Sequence, residues 1–409
     1  MKREMLTGNA AAAWGVRLVE VDYVPVYPIT PQTEIIETLA GWISDGMMDT
    51  RFVTMDSEHS MITAAGAASA TGARAFTATS SQGLLYGFEM IYTVAGWRVP
   101  LVMVNVSRGL SSPITLEPDH NDILAIRDSG FLQIHCETCQ EVLDSIILAY
   151  RLAEDERVLL PVMVNMDGFY LSFTREPVEI PNLEEVREFL PPYRPKHAFF
   201  MASQPMAQGV AVLGGPAYSY FKYQMHLASL KALEVYGEIC AEFEREFRRG
   251  YGPVEGYMLE DAEYALVMAG SFSTLGKKAV KRARDKGIRA GLLKLRLLRP
   301  FPEADLRKAL EGKKAVAVLD QNISVGKGGI LYSEVASCLC NSKKRPVLLS
   351  FIGGLGGKNI SPHEFEFLFE KMIEAFEEGT SSGTHLLYTE KEWEEMSLLK
   401  RTAENEGKA

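Results

Sequence analysis

Cysteine is scarce in this chain of 409 residues: Cys136, Cys139, Cys240, Cys338 and Cys340 are all there is. Cys136-Glu137-Thr138-Cys139 has the C-x-x-C form, but no second pair exists to complete a zinc or iron–sulfur site, so metal ligation by this chain alone is not expected. The remaining reading is reduced, packed thiols in a reducing compartment. Long apolar runs are missing too. None approaches the roughly 18 to 20 residues that cross a bilayer, and no membrane span is expected. The opening MKREMLTGNAAAAWGVRLVE sets basic residues before alanines, yet Gly15 and Arg17 interrupt the small-sided stretch. It reads as neither signal nor transit peptide, and the expected compartment is the cytoplasm. Positive charge is in deficit: 43 Lys and Arg against 53 Asp and Glu give a formal charge of −10, which disfavours a phosphate-tracking surface and makes nucleic acid an unexpected partner. Low-complexity sequence is absent. At 47% hydrophobic and 23% charged residues the composition is globular, with length for two domains that each bury a core.

What is present is alternation. Val21–Tyr27 reads as a strand, Pro31–Ser44 as a helix with Ile35, Leu39 and Trp42 or Ile43 on one face, Arg51–Met55 as a strand and Ser57–Thr71 as a helix crowded with Ala and Gly. Strand Ala73–Thr79, helix Leu84–Ala95, strand Pro100–Val106, a long loop, strand Phe131–His135, helix Thr138–Glu154 and strand Leu159–Asn165 continue it. This order predicts an α/β fold, a doubly wound parallel sheet with helices on both faces. From Pro177 to about Pro253 the pattern loosens into a connector that wraps the first domain, with a Pro-rich patch at Leu190–Pro195 and a helix at Tyr223–Arg248. A second alternation predicts a smaller α/β domain. Its strands are Ala265–Met268, Gly291–Leu295, Ala315–Leu319 and Val347–Phe351; its helices are Thr274–Lys286, Glu303–Leu310, Gly328–Cys338 and Glu364–Phe376. The expected domains are therefore 1–256 with the connector, 257–376, and a charged tail or arm at 377–409 with a helical patch at Trp393–Leu399.

Tyr27-Pro28-Ile29-Thr30-Pro31 stands where the first strand hands over to a helix. A residue before proline is pushed out of the α region, so Tyr27 and Thr30 are expected to be extended, with Thr30 as N-cap and Pro31 at the first helical position. Taken singly, Thr30 is a cap, Glu58 a charge favoured at a helix start, and Arg108 a surface charge. Their placement says more. Glu58 follows the second strand, Ser80 and Ser81 the third, and Arg108 the fourth; in a doubly wound sheet the carboxyl ends of the strands form the ligand crevice, where these residues and Thr30 should converge. A carboxylate, hydroxyls and a guanidinium suit an acid substrate and a heteroaromatic cofactor, since arginine grips a carboxylate in bidentate fashion.

YPITP at Tyr27–Pro31, DSEHSMITAAGAASATGARAFTATSSQG at Asp56–Gly83, VSRGLSSP at Val106–Pro113 and DHND at Asp119–Asp122 resemble the α subunit of the pyruvate:ferredoxin (2-oxoacid:acceptor) oxidoreductase family. LKLRLLRPFP at Leu293–Pro302 and GGLGGKNI at Gly353–Ile360 resemble its second domain, a relative of the transketolase C-terminal domain. The resemblance spans nearly the whole chain apart from the tail, with the motifs in the family's order. It implies a first domain that binds the aminopyrimidine half of thiamine diphosphate. Position by position it implies Glu58 on the pyrimidine ring nitrogen, Thr30 beside the substrate, Arg108 on the 2-oxoacid carboxylate, and Pro28, Ile29, Ser80 and Ser81 at the cofactor. The glutamate's hydrogen bond would favour the imino tautomer of the exocyclic amine, which takes the proton from the thiazolium carbon. The implied reaction is oxidative decarboxylation of pyruvate or a related monocarboxylic 2-oxoacid, with coenzyme A taking the acyl group; aryl or branched-chain acids such as phenylglyoxylate or 2-oxoisovalerate are the alternative.

Two features the resemblance calls for are missing. No G-D-G with a following Asn is present to seat the magnesium diphosphate, and there are no ferredoxin-type cysteine runs. Partner subunits of β, γ and δ type are therefore implied, supplying the Mg site, the coenzyme A domain and [4Fe–4S] clusters, with ferredoxin or another acceptor taking the electrons and the active site lying between chains. Leu116-Glu117-Pro118 precedes Asp119 where pyruvate and branched-chain members carry an aromatic residue, which opens the question of substrate size; Thr30, where oxalate-using relatives place an arginine, keeps a monocarboxylic acid favoured. Gly326-Lys327-Gly328-Gly329 and Gly353–Lys358 lack the phosphate-loop spacing and read as tight turns. His59 and His120 read as supporting groups rather than general bases. Absence of G-x-G-x-x-G after the first strand argues against a nicotinamide dehydrogenase. A non-catalytic assembly subunit with a vestigial crevice is the reading from another class.

Overall fold

The computed structural model describes residues 2–196, 199–209, 211–381 and 383–406, with side chains to residue 401. The chain forms two compact units, Met1–Glu255 with Ala269–Thr274 and Lys294–Leu306, and Gly256–Met268 with Leu275–Leu293 and Arg307–Ala409.

The first unit begins β1 (Lys2–Thr7), α1 (Gly8–Leu18), β2 (Tyr23–Val26), α2 (Thr33–Ser44), β3 (Arg51–Thr54), α3 (Glu58–Ala70) and β4 (Phe76–Thr79). It continues α4 (Ser81–Tyr86), α5 (Phe88–Trp97), β5 (Val102–Ser107), α6 (Asn121–Ala125), β6 (Leu132–His135), α7 (Cys139–Ala153), β7 (Val162–Asp167), β8 (Arg175–Ile180), α8 (Leu183–Phe189) and α9 (Ala217–Phe247). The central sheet runs β12 (Leu297–Arg299), β6, β7, β5, β4, parallel except at β12, and the parallel pair β2–β3 continues it through a bridge from Tyr23 to Ala75. β5 (VMVNVS) and β7 (VMVNMD) are buried along their whole length, as expected of parallel strands covered on both faces. α7 is buried nearly throughout and packs on β7, α1 and α9. Small residues bring α1 in close: a Cβ at Gly15 would lie 3.0 Å from Ile146 Cβ. β1 and β8 form a separate antiparallel pair. The doubly wound architecture expected from the alternation is the one observed.

Two local expectations fail. The helix expected over Leu84–Ala95 is two helices parted at Gly87, where a Cβ would run into Ile62 Cδ1. Thr30 is not an N-cap: the Thr30–Pro31 peptide is cis, and α2 starts two residues later with Gln32 at its N-cap. Gln32 sends its side-chain Nε2 back to Tyr27 O at 3.0 Å.

The second unit is built around a six-stranded sheet ordered β15 (Thr384–Leu386), β14 (Val347–Ile352), β13 (Ala315–Asp320), β10 (Tyr264–Ala269), β11 (Ala290–Leu295), β9 (Val254–Tyr257). α10 (Ser273–Asp285), α11 (Glu303–Leu310), α12 (Ile330–Leu339) and α13 (Pro362–Glu378) alternate with its strands, and α14 (Glu390–Glu406) ends the described chain. α13 has a full set of end signals: a Ser361–Glu364 capping box, Pro362 in the first turn and Gly379 at φ +72° past the last. The segment expected as a tail from 377 supplies β15, paired with β14, and α14; its residues 382 and 407–409 lie outside the described residues. Among the described residues no helix is long and apolar enough to cross a membrane.

Candidate functional site

Glu58 is the first residue of α3, whose N-cap Ser57 accepts from Ser60 N–H at 3.2 Å. Its side chain turns inward and the residue is 6% exposed. Gly83, two residues into α4, lets it in: a Cβ there would lie 2.5 Å from Glu58 Oε1 and 2.7 Å from Thr79 Oγ1. Among the described residues the Glu58 side chain makes no hydrogen bond or ion pair, and Thr79 Oγ1 is buried without a partner. An unsatisfied buried hydroxyl such as that of Thr79 costs about 1–3 kcal/mol, and with the donorless Glu58 carboxyl on the other side of one glycine it forms an arrangement that a polar ligand would complete.

Arg108 follows β5 and is 6% exposed. Its Nη1 donates to Thr30 O at 2.6 Å and its Nη2 to Gln82 Oε1 at 2.5 Å, while Nε is buried without a partner. Burial pulls the guanidinium below its ordinary pKa, with the nearby Asp122 opposing. Thr30 is exposed and joins the cluster through its carbonyl; Pro28 is exposed and Ile29 half-buried on the same turn. Ser80 Oγ donates to Val106 O at 2.6 Å, and Ser81 Oγ lies 2.9 Å from Gly109 O and 2.6 Å from Gln82 Oε1. Both hydroxyls are thus engaged within the protein, where they tie the end of β4 to the end of β5. Thr30, Ser81 and Arg108 form one hydrogen-bonded group through Gln82, Ser80 is bonded separately to Val106 O, and Glu58 stands across Gly83 from the end of β4.

Sequence reasoning assigned no role to the residue that holds this group together. Asp122, fully buried in α6, accepts from Ser81 N–H (3.0 Å), Asn105 Nδ2 (3.2 Å), Ser107 Oγ (2.9 Å), Arg108 N–H (3.2 Å) and Ile123 N–H (2.7 Å). Burial pushes its carboxyl above the usual range, and these donors work against the shift. The signal was available: Asn105, Ser107, Asn165 and Asp167 are polar residues at the ends of otherwise apolar strands, and such residues need buried partners. Asn165 Oδ1 takes Asn105 Nδ2 at 2.8 Å and Ser107 Oγ at 2.9 Å.

His120 is held inside the protein by Asp167. It is 1% exposed, with Nε2 2.7 Å from Asp167 Oδ1, and Asp167 Oδ2 accepts from Ser271 N–H at 2.7 Å and Ser271 Oγ at 2.5 Å. Burial alone would raise the Asp167 carboxyl; the His120 charge and hydrogen bond outweigh it and hold the group below its ordinary value. His59 is half-exposed, 3.7 Å from Glu89.

The C-x-x-C pair is buried and free of disulfides, and burial pushes the Cys136 thiol up to about 12. Beside it, Glu137, Glu141 and Glu255 are spaced as a metal could use, but the Lys294 ammonium occupies the middle, 2.6, 2.7 and 2.6 Å from their oxygens. The Gly353–Lys358 loop is a tight turn, with Gly354 and Gly356 at φ +79° and +55° and Lys358 Nζ 2.6 Å from Glu364 Oε1.

Fold and site together define a doubly wound α/β chain that carries a donorless carboxyl after β3 and an anchored guanidinium after β5. Residues 14–238 match the family described as "Pyruvate flavodoxin/ferredoxin oxidoreductase, thiamine diP-bdg", and residues 262–365 match "Pyruvate:ferredoxin oxidoreductase core domain II". The chain is 43% identical to the pyruvate synthase subunit PorA of Methanocaldococcus jannaschii, over 92% of this chain and 96% of that one. It is 39% identical to the ketoisovalerate oxidoreductase subunit VorA of Pyrococcus horikoshii, over 92% and 95%. A solved 2-oxoglutarate:ferredoxin oxidoreductase from Magnetococcus marinus shares the fold at a TM-score of 0.69 and 20% identity; the match takes in 91% of this chain and 65% of that longer one. The chain belongs to the pyruvate:ferredoxin oxidoreductase family.

Proposed function

We propose that this chain is the α-type subunit of a cytoplasmic, thiamine diphosphate-dependent 2-oxoacid oxidoreductase, active only in complex with partner subunits. It would supply the pyrimidine side of the cofactor site and the grip on the substrate. The observation that carries this reading is Glu58, buried with no hydrogen-bond donor among the described residues, in a space that a Cβ at Gly83 would fill. A ring nitrogen set against that carboxyl satisfies it, and the open Thr79 hydroxyl offers a second polar contact nearby. Bound there, thiamine diphosphate would supply a nucleophilic carbon for the 2-oxo group and a store for the electron pair that carbon dioxide leaves behind.

The chain's own residues have narrower tasks. Glu58 holds a proton at the ring nitrogen and passes its effect to the neighbouring amine. Arg108 orients the substrate carboxylate without being consumed, its plane fixed by Thr30 O and Gln82 Oε1. Asp122 keeps Ser81 and Arg108 in register. The sequence carries neither the G-D-G motif that seats a magnesium diphosphate nor a ferredoxin-type cysteine run, and we assign these groups to β-, γ- and δ-type partners, with coenzyme A taking the acyl group and ferredoxin or another acceptor the electrons. Pyruvate or a similar monocarboxylic acid is the substrate we favour. A branched-chain 2-oxoacid is the second reading, supported by the VorA relative at 39% identity.

The test uses the assembled complex. Glu58→Gln should lower 2-oxoacid-dependent acceptor reduction about a hundredfold or more, the range in which general acid–base groups act, and should weaken cofactor retention on gel filtration. Wild-type turnover in this variant would remove the chain from catalysis and favour the assembly-subunit reading. Rates with pyruvate, 2-oxoisovalerate, phenylglyoxylate and indolepyruvate would rank the substrates.

A further inference from the structure

Resting on that reading, we propose that Gln82 is a second residue that contacts the substrate carboxylate, setting Arg108 with one end of its carboxamide and offering the acid a hydrogen bond with the other. Arginine only donates, so the end of Gln82 that meets Arg108 Nη2 at 2.5 Å is the oxygen. The same oxygen lies 2.6 Å from Ser81 Oγ. The amide nitrogen must then point elsewhere, and Nε2 is buried with no acceptor among the described residues. Arg108 Nε is in the same state.

Two hydrogen-bonded neighbours thus each keep a buried donor unused. A carboxylate is the chemical class that matches them, because it only accepts and has two oxygens to share. The Nη groups of Arg108 are already committed to Thr30 O and Gln82, which makes a simple fork on the acid a poorer fit than a grip shared between the two side chains. Gln82 is also firmly seated. The preceding residue, Ser81, sits at φ +48° with its N–H on Asp122, so the amide is carried on a fixed turn.

Gln82→Met removes the amide at nearly constant length, and Gln82→Glu keeps the shape while adding a charge that competes for the guanidinium. In the assembled complex the KM for pyruvate should rise about tenfold in the first and about a hundredfold in the second, the span of a hydrogen bond to a charged group, with the KM for coenzyme A unchanged. Equilibrium binding of oxamate, an unreactive acid of the same shape, should weaken by the same factors without any turnover. A pyruvate KM and oxamate affinity within about twofold of wild type in both variants would overturn the proposal. So would a parallel rise in the coenzyme A KM, or failure of the isosteric Glu variant to assemble, since both mark a packing role. Oxamate binding that weakens as expected in a complex with no 2-oxoacid turnover would overturn the functional reading and leave the carboxylate contact standing.

Discussion

Glu58 and Glu141 are both buried carboxyl groups of the first unit, near the start of a helix that follows a strand. Around Glu141 the carboxyl itself is answered. Lys294 Nζ and Arg296 Nη2 each reach it at 2.7 Å, Lys294 also binds Glu137 and Glu255, and Arg296 lays its plane 4.5 Å over the Tyr251 ring. Around Glu58 nothing is answered, and the hydroxyl across Gly83 is open as well. Arg296 keeps Nε and Nη1 buried without an acceptor among the described residues, so the contrast lies in the carboxyls: that of Glu141 is held by two cations and that of Glu58 by none. An open carboxyl in the same protein leaves a place that a ligand can occupy, as the proposed function requires.

The sharpest way to break the comparison is to open the closed cluster. Lys294→Met removes the ammonium shared by the buried Glu137 and Glu141 and the partly exposed Glu255, leaving Arg296 alone on the last two, and removing one partner of a buried ion group costs about 3–5 kcal/mol. Denaturant unfolding should show that loss, while the assembled fraction keeps its turnover. Glu58→Gln should do the reverse, losing turnover and no stability. If both variants were equally destabilised, the distinction between closed and open sites would fail.

A smaller effect appears in acid. Burial works to raise the Glu141 carboxyl, but Arg296 and Lys294 overcome it and hold the group at about 2, against an ordinary value of 4.5. A folded-state pKa below the unfolded one stabilises the protein above the unfolded value, and that stability is lost as pH falls from about 4.5 towards 2, an amount on the order of 3 kcal/mol. Glu141→Gln should be less stable than wild type at neutral pH and should flatten the acid limb in a pH series of unfolding midpoints.

The same contrast explains what could be read from the letters. β5 and β7 are continuous apolar runs that only a parallel sheet covers on both faces, and the alternation around them fixed the fold class. Glu58, Ser80, Ser81 and Arg108 were placed by their positions after successive strands. The cap at Thr30 was misread because T-P fixes an extended residue without fixing where the next helix begins, and α2 starts at Thr33 with Gln32 at its N-cap. Asp122 went unassigned because its partners Ser81, Asn105 and Ser107 are 41, 17 and 15 residues away and meet only when β4, β5 and α6 are in place. α1 was overlooked because a run of four alanines shows no face. Gln82 stood inside a quoted motif, yet which of its atoms lacks a partner is a fact of three dimensions.

Gly83→Ala is expected to have the smallest effect and tests the comparison at its narrowest point. The new methyl would sit 2.5 Å from Glu58 Oε1 and 2.7 Å from Thr79 Oγ1, so one or both side chains must shift. Overpacking of this kind costs about 1–3 kcal/mol where the surroundings are tight. Glu58 has no partner holding it and is the end of a flexible side chain, so the relief should come from its movement and the stability loss should fall at the low end of that range. Catalysis should feel the displacement more, because a carboxyl moved by a fraction of an ångström no longer meets a ring nitrogen squarely. The measurement is a pair, the unfolding midpoint of the chain and the turnover of the complex. A midpoint within a few degrees of wild type with turnover down about tenfold would place the strain on the open carboxyl. A large fall in midpoint with turnover intact would mean that Glu58 is held as firmly as Glu141, by something other than a ligand.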